Sequence, residues 1–334
     1  MKEIIINKND SNQRLDKFLK RYLINASTSF LYKMLRKKNI VLNDKKANGN
    51  ELLNENDSIK LYFSEETLLK FSTVNAAEAL QAANDYLDAY KQFPNIAIIY
   101  ENEHIILLNK PAGILTQKAE PKDKSLNEWL IGYLLSNNQV TDESLVHFKP
   151  SVLNRLDRNT SGLVLCGKTL YGSQTISQLI KERTIHKYYR LFVAGGMQGS
   201  GTLLGYLKKD IENNIVKIYN EIPEAENKQK YNVIETRYQV ISSSSFCSYL
   251  EVELVTGKTH QIRAHFANMG HPLLGDYKYG SKEYNQKVKA FGITCQMLHA
   301  YRLVFPSMDE PLQDLSEREF ICEEPESFKQ LKTH

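Results

Sequence analysis

Leu15, Phe18, Leu19, Tyr22 and Leu23 recur at intervals of three and four, the spacing of one buried helical face, and Asp10 followed by Gln13 reads as the cap of that helix. Lys17, Lys20 and Arg21 occupy the remaining face, with Arg14 just ahead of it. A second helix is expected from a cap at Thr28 or Ser29 through about Lys38, with Leu31, Met34 and Leu35 turned inward and Lys33, Arg36, Lys37 and Lys38 turned to water. The runs NIVLND and DSIKLYF then read as short strands separated by the turn residues of GNELLNEND. Residues 66–93 contain neither Gly nor Pro and are rich in Ala, Leu and Gln, which predicts an at least partly helical linker over 66–95, with Pro94 closing the helix.

From Asn95 the pattern changes to short apolar runs divided by turns: IAIIYEN, HIILLNKP, GLVLCGK, YYRLFVAGG, YNVIETRYQVISS, YLEVELVTG and YRLVF. Two stretches keep helical spacing, SLNEWLIGYLLSN and SQTISQLIKE. Strands that do not alternate one for one with helices predict an α+β domain over 96–330, built on an antiparallel-rich sheet with flanking helices. GGMQGSG, residues 195–201, lacks the order of a phosphate-binding loop and is expected to be a hairpin turn between two strands. The expected organisation is a small α+β unit over 1–65, the linker, and the large domain.

The 334 residues are 42% hydrophobic and 25% charged, enough for a sizeable core and more than one unit. No charged-then-apolar leader follows Met1 and no run of 18 apolar residues occurs, so a soluble, unexported, cytoplasmic protein is expected. Cys166, Cys247, Cys295 and Cys322 lie far apart without metal-ligand or disulfide-framework spacing. Net charge is only +4, but residues 1–65 hold 13 Lys and Arg against 8 Asp and Glu. The positive field therefore belongs to the first unit, where Arg14, Lys17, Lys20, Arg21, Lys33, Arg36, Lys37 and Lys38 are expected to make a docking surface for phosphates; an ordinary solvated face is the alternative. Monomer is the default expectation.

NRLDRNTSGL, residues 154–163, sets Asp157 among Arg155 and Arg158, and its Thr-Ser-Gly step reads as a turn that projects the carboxylate from a strand end. About a hundred residues on, LVTGKTHQIRAHFANMGHPLLGDYKYG again joins an apolar strand to a Gly- and Thr-bearing turn with an Arg, so the two segments can converge on one cleft. His260, His265 and His271 lie in it at spacings that suit no metal set, and are expected to orient loops.

These motifs, in this order, are similar to the patterns H-R-L-D-x-x-T-S-G-L, T-G-R-T-H-Q-I-R-x-H and G-H-P-L-x-G-D of the RluA-type (RluC/RluD-like) pseudouridine synthases. IIYENEHIILLNKPAGILTQ, KYYRLFV and LHAYRLVF extend the resemblance over nearly all of 96–306. QRLDKFLKRYLINASTSFLYKMLRKKNIVLNDKK resembles the S-four type of RNA-binding domain. The resemblance implies a large mixed, mostly antiparallel bent sheet with flanking helices, and isomerisation of uridine to pseudouridine in RNA, foremost large-subunit ribosomal RNA, without cofactor or metal. It assigns Asp157 as the catalytic carboxylate and Arg263 as its bidentate partner, which opposes protonation in a closed cleft. Tyr189 would stack on the uracil and assist proton removal from carbon 5, and Ile262 would wall the base. Arg155 would fill the space left by the extruded base, and Arg158 would face phosphate. Lys187 would hold backbone or phosphate. Lys258 stands where the pattern has Arg, which removes bidentate phosphate geometry, and Asn154 where it has His. A transfer-RNA substrate, or an RNA-binding assembly factor without turnover, are the alternatives.

Overall fold

The computed structural model describes residues 1–6, 10–72, 76–210, 212–224 and 226–332, and builds them around two sheets. The first unit contains β1 (Lys2–Ile5), α1 (Leu15–Tyr22), α2 (Thr28–Arg36), β2 (Ile40–Leu42), β3 (Lys45–Lys46) and β4 (Ser58–Leu61). Its strands pair in the order β1-β4-β2-β3, all antiparallel. Leu15, Phe18, Leu19, Leu31, Met34 and Leu35 are buried together with Ile40, Ile59 and Leu61, so the apolar faces of both helices close on the sheet. The caps differ from the sequence reading. Arg14 occupies the first N-cap, while Gln13 Nε2 donates to the Asp10 carbonyl in the preceding turn. At the second helix Ser27 is the N-cap, its hydroxyl accepting from the Phe30 N–H at 3.2 Å.

The stretch read as a linker forms α3 (Glu65–Ser72) and α4 (Ala76–Gln92); residues 73–75 lie outside the described residues. Phe71 packs at a tilt on Phe30 of the small core with ring centroids 4.5 Å apart, whereas Tyr90 and Phe93 pack on the large core. The two helices thus divide between the two cores.

The large unit contains β5 (Ala97–Glu101), β6 (Ile105–Lys110), α5 (Leu126–Ser136), α6 (Asp142–His147), β7 (Ser151–Val152), β8 (Ser161–Gly167), α7 (Leu170–Glu182), β9 (His186–Ala194), β10 (Ser200–Asp210) and β11 (Ile215–Tyr219). It continues with β12 (Tyr231–Ser243), β13 (Cys247–Leu254), α8 (Gln261–Asn268), α9 (Lys282–Lys289), β14 (Leu298–Val304), β15 (Glu319–Ile321) and α10 (Glu326–Lys332). The sheet runs β11-β10-β12-β13-β9-β14-β8-β6-β5, with β15 on β14 and β7 on β8. Among the described strands β14 and β8 alone pair in parallel, so the fold is α+β with a mostly antiparallel sheet. One face carries Val164, Tyr189, Leu191, Val252, Leu298 and Ala300 against Trp129 and Leu130 of α5 and Ile262 and Phe266 of α8. The other face packs on α7 through Ile176, with Phe305 and Leu312.

Two turn readings are corrected here. GGMQGSG does not close a hairpin, because β9 pairs with β13 and β14 while β10 pairs with β12 and β11. It is instead a crossing past the β12–β13 end, where Met197 N–H donates to Ser248 Oγ at 2.7 Å. Nor is Thr160-Ser161-Gly162 the turn. The bend lies one step earlier, Asp157 to Thr160, closed by the Thr160 N–H on the Asp157 carbonyl at 3.0 Å. Gly162 already belongs to β8; its φ of +112° and the backbone of Ala300, into which any Cβ would collide, let β14 approach closely.

Candidate active site

The loop between β7 and β8 is held on both sides of Asp157. Leu156 is buried, and its carbonyl accepts from Thr116 Oγ1 at 2.7 Å. The Arg158 carbonyl accepts from the Gly113 N–H at 2.9 Å and from Lys110 Nζ at 3.0 Å. Lys110 is fully buried and gives its other two donors to the carbonyls of Pro111 and Ile114, at 3.0 and 2.9 Å. Burial lowers its pKa to about 7, against the opposing pull of Asp157, while three carbonyl acceptors match the three donors of an ammonium group. Fixed at either neighbour, the Asp157 side chain points into a cavity of about 740 Å³.

Arg263 reaches the same cavity from α8, 106 positions along the chain, and its Nη1 lies 2.7 Å from Asp157 Oδ2. The bidentate contact expected between these two is corrected by the structure. The fork of Arg263, Nε and Nη2, goes to Asp276 at 2.7 and 2.9 Å, and only the third nitrogen remains for Asp157. Asp276 is fully buried and also accepts the N–H groups of Lys278 and Tyr279, at 2.9 and 3.1 Å. Burial works against both charges. The Asp276 hydrogen bonds and charge, with a further contribution from Asp157, outweigh it and raise the Arg263 pKa; Arg263 likewise holds Asp276 below the usual carboxylate range. Arg263 is therefore a fixed cation that offers Nη1 to Asp157.

Tyr189, on β9, and Ile262 are both buried and both line the cavity. Burial, then the charge of Asp157, pushes the Tyr189 hydroxyl up, so it stays protonated at neutral pH. Arg155 is exposed at the rim and, among the described residues, has no ion-pair or hydrogen-bond partner. Arg158, also exposed at the rim, turns its Nε to the Gly113 carbonyl at 3.0 Å. Lys187 lines the wall with its pKa lowered by burial and then by Arg183, and Lys258 is exposed at the edge. Asn154 serves the loop: its Oδ1 accepts the Leu165 N–H at 2.7 Å, so the motif position usually held by His is structural in this chain.

Of the three histidines, His271 holds the loop after α8 to the Ala194 carbonyl at 2.9 Å, whereas His265 ties α8 to β12 through Thr236 Oγ1 at 2.8 Å and orients no loop. His260 instead lines the cavity, with Nε2 3.8 Å from Asp157. Among the described residues no group of three or more His, Cys, Asp or Glu could hold a metal ion, and no helix is long and apolar enough to cross a membrane. Asp276, Lys110 and His260 were not among the site residues taken from the sequence. Each stands in a quoted motif, GDYKYG, LLNKPAG or THQIR, so the signal was position without a stated partner.

In the small unit Lys17, Lys20, Lys33, Arg36, Lys37 and Lys38 are exposed. Arg14 is exposed but paired with Asp16 at 2.9 Å. Arg21 is half-buried against Gln13 Oε1 at 2.5 Å and Asp10 at 3.5 Å, which removes it from the free cations of that surface.

The family described as RNA pseudouridylate synthase matches residues 104–268, a span that holds Asp157, Tyr189 and Arg263. An uncharacterized RNA pseudouridine synthase of Mycoplasma genitalium is 32% identical over 313 residues, 92% of this chain and 90% of that protein. Ribosomal large subunit pseudouridine synthase C of Vibrio cholerae is 28% identical over 319 residues, 93% and 91% of the two chains. The solved structure of human RNA pseudouridylate synthase domain containing 4 shares the fold with a TM-score of 0.57 over 76% of this chain and 97% of that one, at 19% identity. At 32% identity to the Mycoplasma genitalium protein over 92% of its length, and matched by the family itself over residues 104–268, the chain belongs to the RNA pseudouridine synthase family, isomerases that act on RNA.

Proposed function

We propose that the chain converts uridine to pseudouridine in large-subunit ribosomal RNA, with Asp157 as the catalytic carboxylate. The observation that carries the assignment is the ion pair of Asp157 with Arg263 at 2.7 Å on the wall of the cavity, the arginine itself locked by Asp276. A carboxylate so paired is aimed and charge-compensated without a metal or cofactor, and can serve as nucleophile or base at the ribose or the base. Tyr189 and Ile262 supply an aromatic and an apolar wall for an unstacked uracil, and Arg155, free at the rim, is the side chain placed to fill the vacated stack. Arg158, Lys187 and Lys258 ring the opening as phosphate contacts.

The ribosomal substrate rests on the likeness to the Vibrio cholerae protein, whose name states that target. The first unit is proposed as an S-four-type RNA-binding domain that docks the substrate, in a monomeric cytoplasmic enzyme. The test is tritium release from uracil carbon 5. Purified protein incubated with an unmodified, 5-tritiated large-subunit transcript should release tritium, and Asp157→Asn should release none above background. Release from transfer RNA alone would move the substrate, and release by Asp157→Asn at the wild-type rate would remove the carboxylate from its role.

A further inference from the structure

His260 caps α8 with a left-handed backbone, φ 54° and ψ 17°, a conformation uncommon for any residue that carries a Cβ. Such a backbone persists where its surroundings hold it, and functional sites are where it concentrates. The ring of His260 lines the cavity, and its Nε2 stands 3.8 Å from Asp157 Oδ2. That is too long for a direct hydrogen bond, yet it lets both groups flank one bound molecule.

The other ring nitrogen fixes which tautomer is present. The Val216 backbone N–H donates to the Tyr279 hydroxyl oxygen at 2.8 Å, and the same hydroxyl lies 2.9 Å from His260 Nδ1. With its oxygen already accepting, Tyr279 has one proton to give, and among the described residues Nδ1 is its only acceptor. Donation from Tyr279 to Nδ1 would place the ring proton on Nε2, facing the cavity. The charged groups around the ring are Asp157, Arg263, Lys278 and Asp276. Burial lowers the imidazole pKa, against the pull of Asp157 and helped by Arg263 and Lys278, so the ring is neutral at neutral pH.

We propose that His260 is a catalytic residue that donates a hydrogen bond from Nε2–H to a carbonyl oxygen of the unstacked uracil. The proposal rests on the reading of Asp157 as the catalytic carboxylate, which places the base beside it. Isomerisation breaks C1′–N1, forms C1′–C5, and moves one proton from C5 to N1. In the routes that detach the base, the bonding pair of C1′–N1 stays on the uracil ring, shared between N1 and the carbonyl oxygens. A fixed neutral donor at one of those oxygens binds the detached base more strongly than the intact nucleotide, which is the condition for accelerating the step.

His260→Gly removes the donor and the backbone strain together, so tritium-release kinetics should show kcat falling about 100-fold with KM changed less than roughly twofold. Unfolding of this variant should be no easier than in the wild type. His260→Gln, which can extend an amide N–H toward the same oxygen, should recover part of the loss. Nitrogen-15 NMR of the wild type near neutral pH should find Nε2 protonated and Nδ1 bare. Wild-type kcat in His260→Gly alongside an inactive Asp157→Asn would overturn the proposal, as would protonation at Nδ1. Activity of Asp157→Asn would overturn the carboxylate reading instead, leaving the His260 variants and the tautomer to judge the donor by themselves.

Discussion

Arg263 divides its three nitrogens between two carboxylates, and the two are not equivalent. Asp276 is fully buried and takes the fork; Asp157 is partly exposed and takes one bond. Asp276→Asn would turn an amide N–H₂ or a neutral oxygen toward a buried guanidinium, and breaking a buried pair in this way costs about 3–5 kcal/mol. Asp157→Asn leaves Arg263 paired with Asp276, so its stability should stay within about 1 kcal/mol of wild type. Urea denaturation should separate the two, with both variants impaired in tritium release and only Asp276→Asn unfolding early. Equal loss of stability would mean that Asp157 is as structural as Asp276. The sequence pointed to Asp157 and Arg263 because the two arginine-bearing motifs carry them. It could not say which acid takes the fork, since that depends on the turn after α8 that brings Asp276 beneath the guanidinium. Lys110 and His260 were hidden for the same reason: a buried ammonium on three carbonyls and a left-handed backbone leave no periodic trace.

Helix α8 shows why a short element can escape a periodicity reading. Its residues Gln261 to Phe266 are all buried, so it has no polar stripe to set against an apolar one, and eight residues span little more than two turns. The amphipathic helices α1, α2 and α7 were legible, as were the mostly buried α5 through its run of apolar residues and the strands whose apolar runs sit between turns. β11 was not, because it lies at the edge of the sheet with a mixed sequence, and although a strand was expected after GGMQGSG, the crossing there depended on pairings forty residues away. The helix α4 packs on α5 at a point where the sequence also gives a sign. Gly132 lies in the middle of α5, where Ala is ordinarily better by about 0.5–1 kcal/mol. Here a Cβ would collide with the Tyr86 carbonyl of α4, so Gly132→Ala should instead destabilise by roughly 1–3 kcal/mol. Proteolysis should then cut α4 sooner than in the wild type. A gain in stability would show that α4 is not seated on α5.

The small unit holds 13 basic against 8 acidic residues while the rest of the chain carries a slight negative excess, so the long-range field that an RNA meets is set far from Asp157 in the sequence. Counterion release makes this measurable, because each phosphate that the protein no longer neutralises flattens the dependence of log affinity on log salt by roughly 0.7–0.9. Lys33, Arg36, Lys37 and Lys38 are exposed and cluster within six positions of α2 and the turn after it. Replacing all four by Ala should weaken binding to cognate and unrelated RNA alike and reduce the salt slope, while kcat at saturating RNA stays near wild type. Arg21→Ala is the control, since that guanidinium is half-buried against Gln13 and Asp10; it should lower stability and leave the slope nearly unchanged. An unchanged slope in the fourfold variant would assign RNA docking to the rim of the Asp157 cavity, where Arg155, Arg158, Lys187 and Lys258 would have to carry both the positioning of the strand and the opening of the base stack.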